Sequence, residues 1–234
     1  MAQLRDPDEP VSRRDRPAKP PLSRAVITAA ASELVRRDGL DAVTLRKVAD
    51  RLDTGPASLY VYVANREDLL DRMLDQALSE VPEVGADPAG WQAALVALFS
   101  GMLAALDRYP GIAQVGLGSV SRAPGELAIA ENALALLHAG GMPDQAAAWA
   151  CDALLLYTFA HAVEHAIERK RPPTAPQHKS PDTDYRALRD YYQSLPSDRF
   201  PHLTRMAASL TTGDDTDRFE FGLDALIRGA AQFS

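Results

Sequence analysis

The spacing of apolar residues is the strongest constraint on this chain. From Ser23, a plausible N-cap, Ile27, Ala30, Ala31, Leu34 and Val35 fall at i, i+3, i+4, i+7 and i+8, and the stripe ends before Gly39. That is the face of a helix of about four turns. Thr44 can cap a second, shorter helix with Leu45, Val48, Ala49 and Leu52 inward and Arg46, Lys47 and Arg51 outward. After a break at 53–55, Pro56 fits the first turn of a third helix, where its missing N–H costs nothing. Asn65 can cap a fourth, "REDLLDRMLDQALSEV", ending before Pro82. Further helices are expected at 88–107, 123–139, 143–170, 184–194, 201–210 and 216–232, with a short piece near 111–118. No stretch alternates apolar and polar residues as a strand would, so the chain should be all-α.

The segment at 171–184 carries four prolines and is expected to be a mobile loop, and "GLGSVS" at 116–121 a helix break. The first 21 residues hold charge and five prolines but no apolar run, so they should form a disordered arm rather than a secretory signal or anchor. Asp152 and His161 interrupt the longest apolar region, 146–163, which is short of the roughly 20 clean residues that span a bilayer. No membrane segment is expected. The single cysteine, Cys151, precludes an intrachain disulfide and suits a reducing cytoplasm.

A net charge of −7 argues against indiscriminate coating of nucleic acid, but the charge is uneven. Residues 10–66 carry eleven Lys/Arg against six Asp/Glu, a local +5, leaving −12 elsewhere. A polyanion would therefore meet only the front of this protein. The arm's Arg13, Arg14, Arg16 and Lys19 could follow a minor groove or stay solvated.

Two short helices joined by a tight turn, the second polar on its outer face, are the parts of a helix-turn-helix. In "TGPASLYVYVANR", 54–66, Leu59 and Val63 would pin the third helix, leaving Ala57, Ser58, Tyr60 and Tyr62 toward DNA behind Gly55. Pro56 and Ala57 offer apolar contact to a thymine methyl, Ser58 can bond a base edge or phosphate, and tyrosine hydroxyls reach phosphates. Thr44, Arg46 and Arg66 would hold the backbone on either side.

Two later helices are apolar on more than one face. In 143–170, Trp149, Ala153, Leu156, Ala160, Val163 and Ile167 make one stripe, while Cys151, Leu154, Leu155, Tyr157 and Phe159 fill the others. A helix that is apolar all round must be buried all round. The last helix adds Phe219, Leu223 and Leu226 with small Gly222, and together the two could form a four-helix interface with a second copy. Two core helices of a monomer are the alternative.

Phe99, Met102, Leu103 and Leu106 form a stripe after Trp91, and with Leu134, Leu154 and Tyr157 they could line a cavity; each also reads as plain core. His161 is a candidate polar group for such a pocket or an ordinary hydrogen-bonded histidine. With Glu164 and His165 it also spells the H-x-x-E-H of inverted zinc proteases, which makes a metal-dependent enzyme the rival reading. No third ligand stands out by spacing, so no metal, cofactor or catalytic residue is expected.

The run "AAASELVRRDGLDAVTLRKVADRLDTGPASLYVYVANREDLLDRML" resembles the DNA-binding domain of the TetR family of transcriptional regulators. The matching features are the Ala-rich first helix ending at Gly39, Thr44-Leu45-Arg46, Ala49 and Leu52, Ser58-Leu59-Tyr60, and Asn65-Arg66 followed by Leu69. The tail "DRFEFGLDALIRGAAQF" is similar to the end of the tetracycline-repressor-like ligand-binding domain. One departure is Asp53, where the family's turn usually carries Gly, so Asp53 should be left-handed or the turn altered.

The resemblance implies an all-α protein with a three-helix helix-turn-helix DNA-binding domain over 22–66 and a helical ligand-binding and dimerisation domain over 67–234. It further implies a homodimer on a palindromic double-stranded operator, with half-sites about 34–36 Å apart. A small-molecule effector in the C-terminal domain would shift the heads out of register, the fourth helix serving as lever.

Overall fold

The computed structural model describes residues 21–85, 87–117, 123–170 and 181–233, and every regular element among them is helical. The expectations for the basic arm and for most of the 171–184 loop lie outside these residues, as does most of the break at 116–121.

Helix α1 spans Arg24–Asp38, with Ser23 Oγ accepting from the Val26 N–H at 3.3 Å and Gly39 closing the far end at φ 80°. After a short 3₁₀ turn at Leu40–Ala42, α2 runs Leu45–Arg51, its first turn capped by Thr44 Oγ1 accepting from the Lys47 N–H at 3.2 Å. Asp53 sits at φ 48°, the left-handed region, so the turn usually made by Gly is made here by Asp. Helix α3 is a single turn, Pro56–Leu59, and its bonding continues into the Tyr62 and Val63 N–H groups, both donating to the Leu59 carbonyl. Helix α4, Arg66–Leu78, has a reciprocal cap: Asn65 Oδ1 accepts from the Asp68 N–H while Asp68 Oδ2 accepts from the Ala64 N–H, each at 2.8 Å.

The body contains α5 (Trp91–Asp107), α6 (Ala113–Leu117), α7 (Pro124–Ala139), α8 (Asp144–Lys170), α9 (Pro181–Ser194), α10 (Pro201–Leu210) and α11 (Asp215–Ala230). Helix α5 starts at Trp91 because Asp87–Gly90 closes its own turn, the Gly90 N–H donating to the Asp87 carbonyl. Helix α9 begins at Pro181, three residues earlier than the spacing suggested. An Asp214/Asp217 capping box starts α11.

Helix α4 packs on α1 and on α5, α6 and α7, so it joins head to body, and the buried apolar residues of both form one continuous cluster from Ile27 to Ile227. Two polar clamps tie α4 and the segment that follows it to α7. Asp75 accepts from the Gly125 N–H at 2.7 Å, capping α7 from a neighbouring helix, and Asn132 exchanges two 2.8 Å bonds with the backbone of Val84. The most apolar 18-residue window of α8, within 144–169, has a mean hydropathy of 1.3, a value that by length and composition alone fits a bilayer span or the core helix of a folded protein. In the fold that apolarity meets α5, α6, α7 and α11. Helices α9 and α10 pack chiefly on each other, with Arg189 donating to Thr211 and Thr212.

Candidate functional site

Leu59 and Val63 are fully buried, and they hold α3 against the head with its other residues outward. Gly55, Pro56, Ala57 and Ser58 are exposed, and Tyr60 is 58% exposed. Thr44 and Arg46 are exposed at the start of α2, although the Thr44 hydroxyl already serves as cap. Val61, missed in the sequence because it reads as core between two tyrosines, is 77% exposed beside Tyr60.

Two residues expected at this surface are partly engaged in the fold. Tyr62 was placed beside Tyr60 toward DNA, but it is half-buried and packs on the core, with its carbonyl accepting from Arg24 Nε at 3.2 Å. Arg66 was assigned to the DNA backbone, but its Nε donates to the Val43 carbonyl at 2.8 Å and a terminal nitrogen to the Leu40 carbonyl at 3.1 Å. It staples α4 to the turn before α2.

In the body, Phe99, Met102, Leu106 and Leu154 are buried core residues, while Leu103 and Leu134 are half-buried beside them. Tyr157 stacks on Phe219 with centroids 5.5 Å apart and planes 7° apart, and its hydroxyl donates to the carbonyls of Arg218 at 3.0 Å and Phe219 at 3.2 Å. Its polar end is thus committed to α11. The His161 ring lies 5.0 Å from Phe219, and burial holds its pKa below the ordinary value. His165 Nδ1 lies 3.0 Å from Asp107 Oδ1, and Glu164 is ion-paired with Arg218 at 3.3 Å. Among the described residues, no group of three His, Cys, Asp or Glu is arranged to hold a metal.

The residues expected at a dimer face differ in exposure. Phe219 and Leu223 are buried within the chain, and Gly222 is the close approach that admits the Tyr157 ring, so these three face inward. Ala153 and Leu226 are half-buried. Trp149 and Leu156 remain 69% and 56% exposed, Ala160 is exposed with them, and Phe221 on α11 is 78% exposed. The register of α11 turns Phe221 outward where Phe219 was expected.

Residues 27–73 match the family described as bacterial regulatory proteins, tetR family, and residues 84–233 match the tetracyclin repressor-like C-terminal domain. The chain belongs to the TetR family. Among its TetR-family relatives, the HTH-type transcriptional repressor DrrR1 of Streptomyces coeruleorubidus is 31% identical over 223 residues, covering 93% of this chain and 80% of that one. The class D tetracycline repressor protein of Escherichia coli is 29% identical over 213 residues, covering 89% and 88%. The solved structure of the Streptomyces coelicolor TetR-family protein ActR in complex with actinorhodin is 30% identical with a TM-score of 0.80, covering 90% of this chain and 95% of that one. This TetR-family chain is a ligand-responsive DNA-binding transcriptional regulator, and the family is one of regulators rather than enzymes.

Proposed function

We propose that the chain is a homodimeric cytoplasmic repressor that releases a palindromic operator when a small molecule enters its C-terminal domain, without catalysis. In this reading residues 22–66 are the DNA-binding head and 67–234 the effector and dimerisation body. One observation carries it: α3 turns Ala57, Ser58 and Tyr60 to solvent while Leu59 and Val63 anchor it. A rigidly held turn with an exposed aromatic-polar face is what a major groove accepts. Gly55, Pro56 and Val61 extend the base-facing edge, and Thr44 and Arg46 flank it.

Helix α8 supplies the dimer face through Trp149, Leu156 and Ala160, with Ala153 and Leu226 at its edge and Phe221 of α11 beside them. An exposed apolar set of this kind is stabilised by a second copy. The effector would lodge among α5, α7 and α8, near Phe99, Met102, Leu103, Leu106, Leu134, Leu154, Tyr157 and His161. Moving those helices pulls α4 through the Asp75 clamp and the segment after it through the Asn132 clamp, and a coupling of about 1–3 kcal/mol changes operator affinity about 5–150-fold. As for the H-x-x-E-H pattern, its Glu164 is read as a structural ion-pair partner of Arg218 and its His165 as a structural hydrogen-bond partner of Asp107.

The test is selection of duplex sites from a random library with the full chain, followed by titration at several salt concentrations. Recovery of one palindrome with steep salt dependence, weakened about tenfold or more by Tyr60→Ala, is expected. Unselective binding, or a Tyr60→Ala variant as tight as the parent, would discard the reading.

A further inference from the structure

Between head and body lies a cleft of about 430 Å³, walled by Arg36, Arg37, Asp38 and Asp41 from the end of α1 and the following turn, and by Pro110 and Arg169 from the body. That volume is within the range of small-molecule sites, roughly 300–1,000 Å³. Its charges are not evenly compensated. Arg37 and Asp38 form a two-pronged pair, at 2.9 and 2.7 Å, and neutralise each other. Asp41 is also engaged.

The other two arginines differ. Arg36 lies over the ring of Tyr109 at 5.7 Å, a contact that orients the guanidinium without cancelling its charge. Arg169 makes one long bond, 3.4 Å, from Nη1 to the Asp107 carbonyl. Among the described residues neither is in an ion pair. Each guanidinium has five N–H donors in a planar fork, and among the described residues most of them have no partner and can meet an oxyanion.

The ends of α1 and α8 oppose an anion with about half a negative charge each. The Gly39 N–H, donating to the Val35 carbonyl, satisfies one carbonyl of α1. Three arginines against Asp38 and Asp41 leave the lining positive by one charge, which the helix ends reduce and the two guanidinium forks concentrate on opposite walls. On a chain whose positive excess sits in the head, Arg169 extends that excess onto the acidic body at this one seam.

We propose that this cleft binds a compact polyanion, a phosphate ester or polycarboxylate, gripped by Arg36 from the head and Arg169 from the body. Helix α1 meets the body chiefly through α4, so a bridging anion adds a second link across the seam. Its occupancy restrains the tilt of the head, and it does so outside the region where an effector would lodge among α5, α7 and α8. The site stands without the operator or the effector, so its failure would leave the regulator reading untouched.

The experiment is calorimetric titration of the full chain at low ionic strength with pyrophosphate and, separately, with citrate. Saturable binding near one per chain is expected, weakened about tenfold or more by Arg36→Gln and by Arg169→Gln. Arg205→Gln, on exposed α10 away from the cleft, should change nothing. Arg169→Gln loses only a bond to a backbone carbonyl, so it decides the matter even if Arg36→Gln loosens the head. Pyrophosphate alone binding identifies a phosphate ester, and equal binding of citrate identifies any compact polyanion. No saturable binding of either probe, binding that survives both cleft substitutions, or an equal loss in Arg205→Gln would overturn the proposal.

Discussion

Arg66 Nε donates to the carbonyl of Val43 at 2.8 Å, so the first residue of α4 holds the turn that presents α2. Together with the bond to Leu40 it satisfies two part-buried carbonyls. Arg66→Ala should destabilise the head by about 1–3 kcal/mol, because the carbonyls lose charged donors. Amide exchange should speed up in α1 and α2 while the body stays protected. Unchanged exchange would show the staple to be idle.

Trp149, Leu156 and Phe221 are exposed apolar side chains on the face proposed to meet a second copy. Replacing Trp149 and Leu156 with charged residues should give folded monomers by light scattering, since their environment in the protomer is already wet. Leu223→Lys should instead unfold the chain, because position 223 is fully buried and an unpaired charge there is costly. Dimers persisting in the double variant would remove this face from consideration.

At Gly222, an added Cβ would stand 2.5 Å from Tyr157 Cζ. Gly222→Ala should therefore cost about 1–3 kcal/mol by denaturant unfolding, as overpacked sites do. The cost should largely vanish when Tyr157→Ala is present too, because the two residues share one clash. Equal costs in both backgrounds would place the strain elsewhere.

Burial lowers the pKa of His161 from its ordinary 6.5, against the opposing pull of Asp215 and Glu164, with Arg218 and His165 lowering it further. The unfolded chain therefore binds more protons near pH 6, and stability contributed by neutral His161 is present above pH 6.5 and lost as pH falls through the lowered folded value. Glu168 runs the other way: burial first, then Asp215, raises it above 4.5, so its contribution is present at low pH and lost as pH rises through the raised value. His161→Gln should flatten the fall in melting temperature between pH 7 and 5, and Glu168→Gln should steepen it. Identical profiles for parent and His161→Gln would rule out this titration.

Local chemistry determined much of this protein from its sequence. Ser23, Thr44 and Asn65 cap helices because a short side-chain oxygen next to the first free N–H groups needs no distant partner. Pro56 starts α3 for the same kind of reason, and the apolar period placed Leu59, Val48 and Ala49 inside. The bonds of Arg66 to Val43, of Asn132 to Val84 and of Tyr157 to Arg218 span 23 to 61 residues, and no spacing rule encodes them. Periodicity also says which residues of α8 and α11 share a face, but not whether that face meets its own core or another chain. Only packing decided that Phe219 and Leu223 turn inward while Phe221 stays outside, because burial is settled by which helices arrive, not by the helix that waits for them.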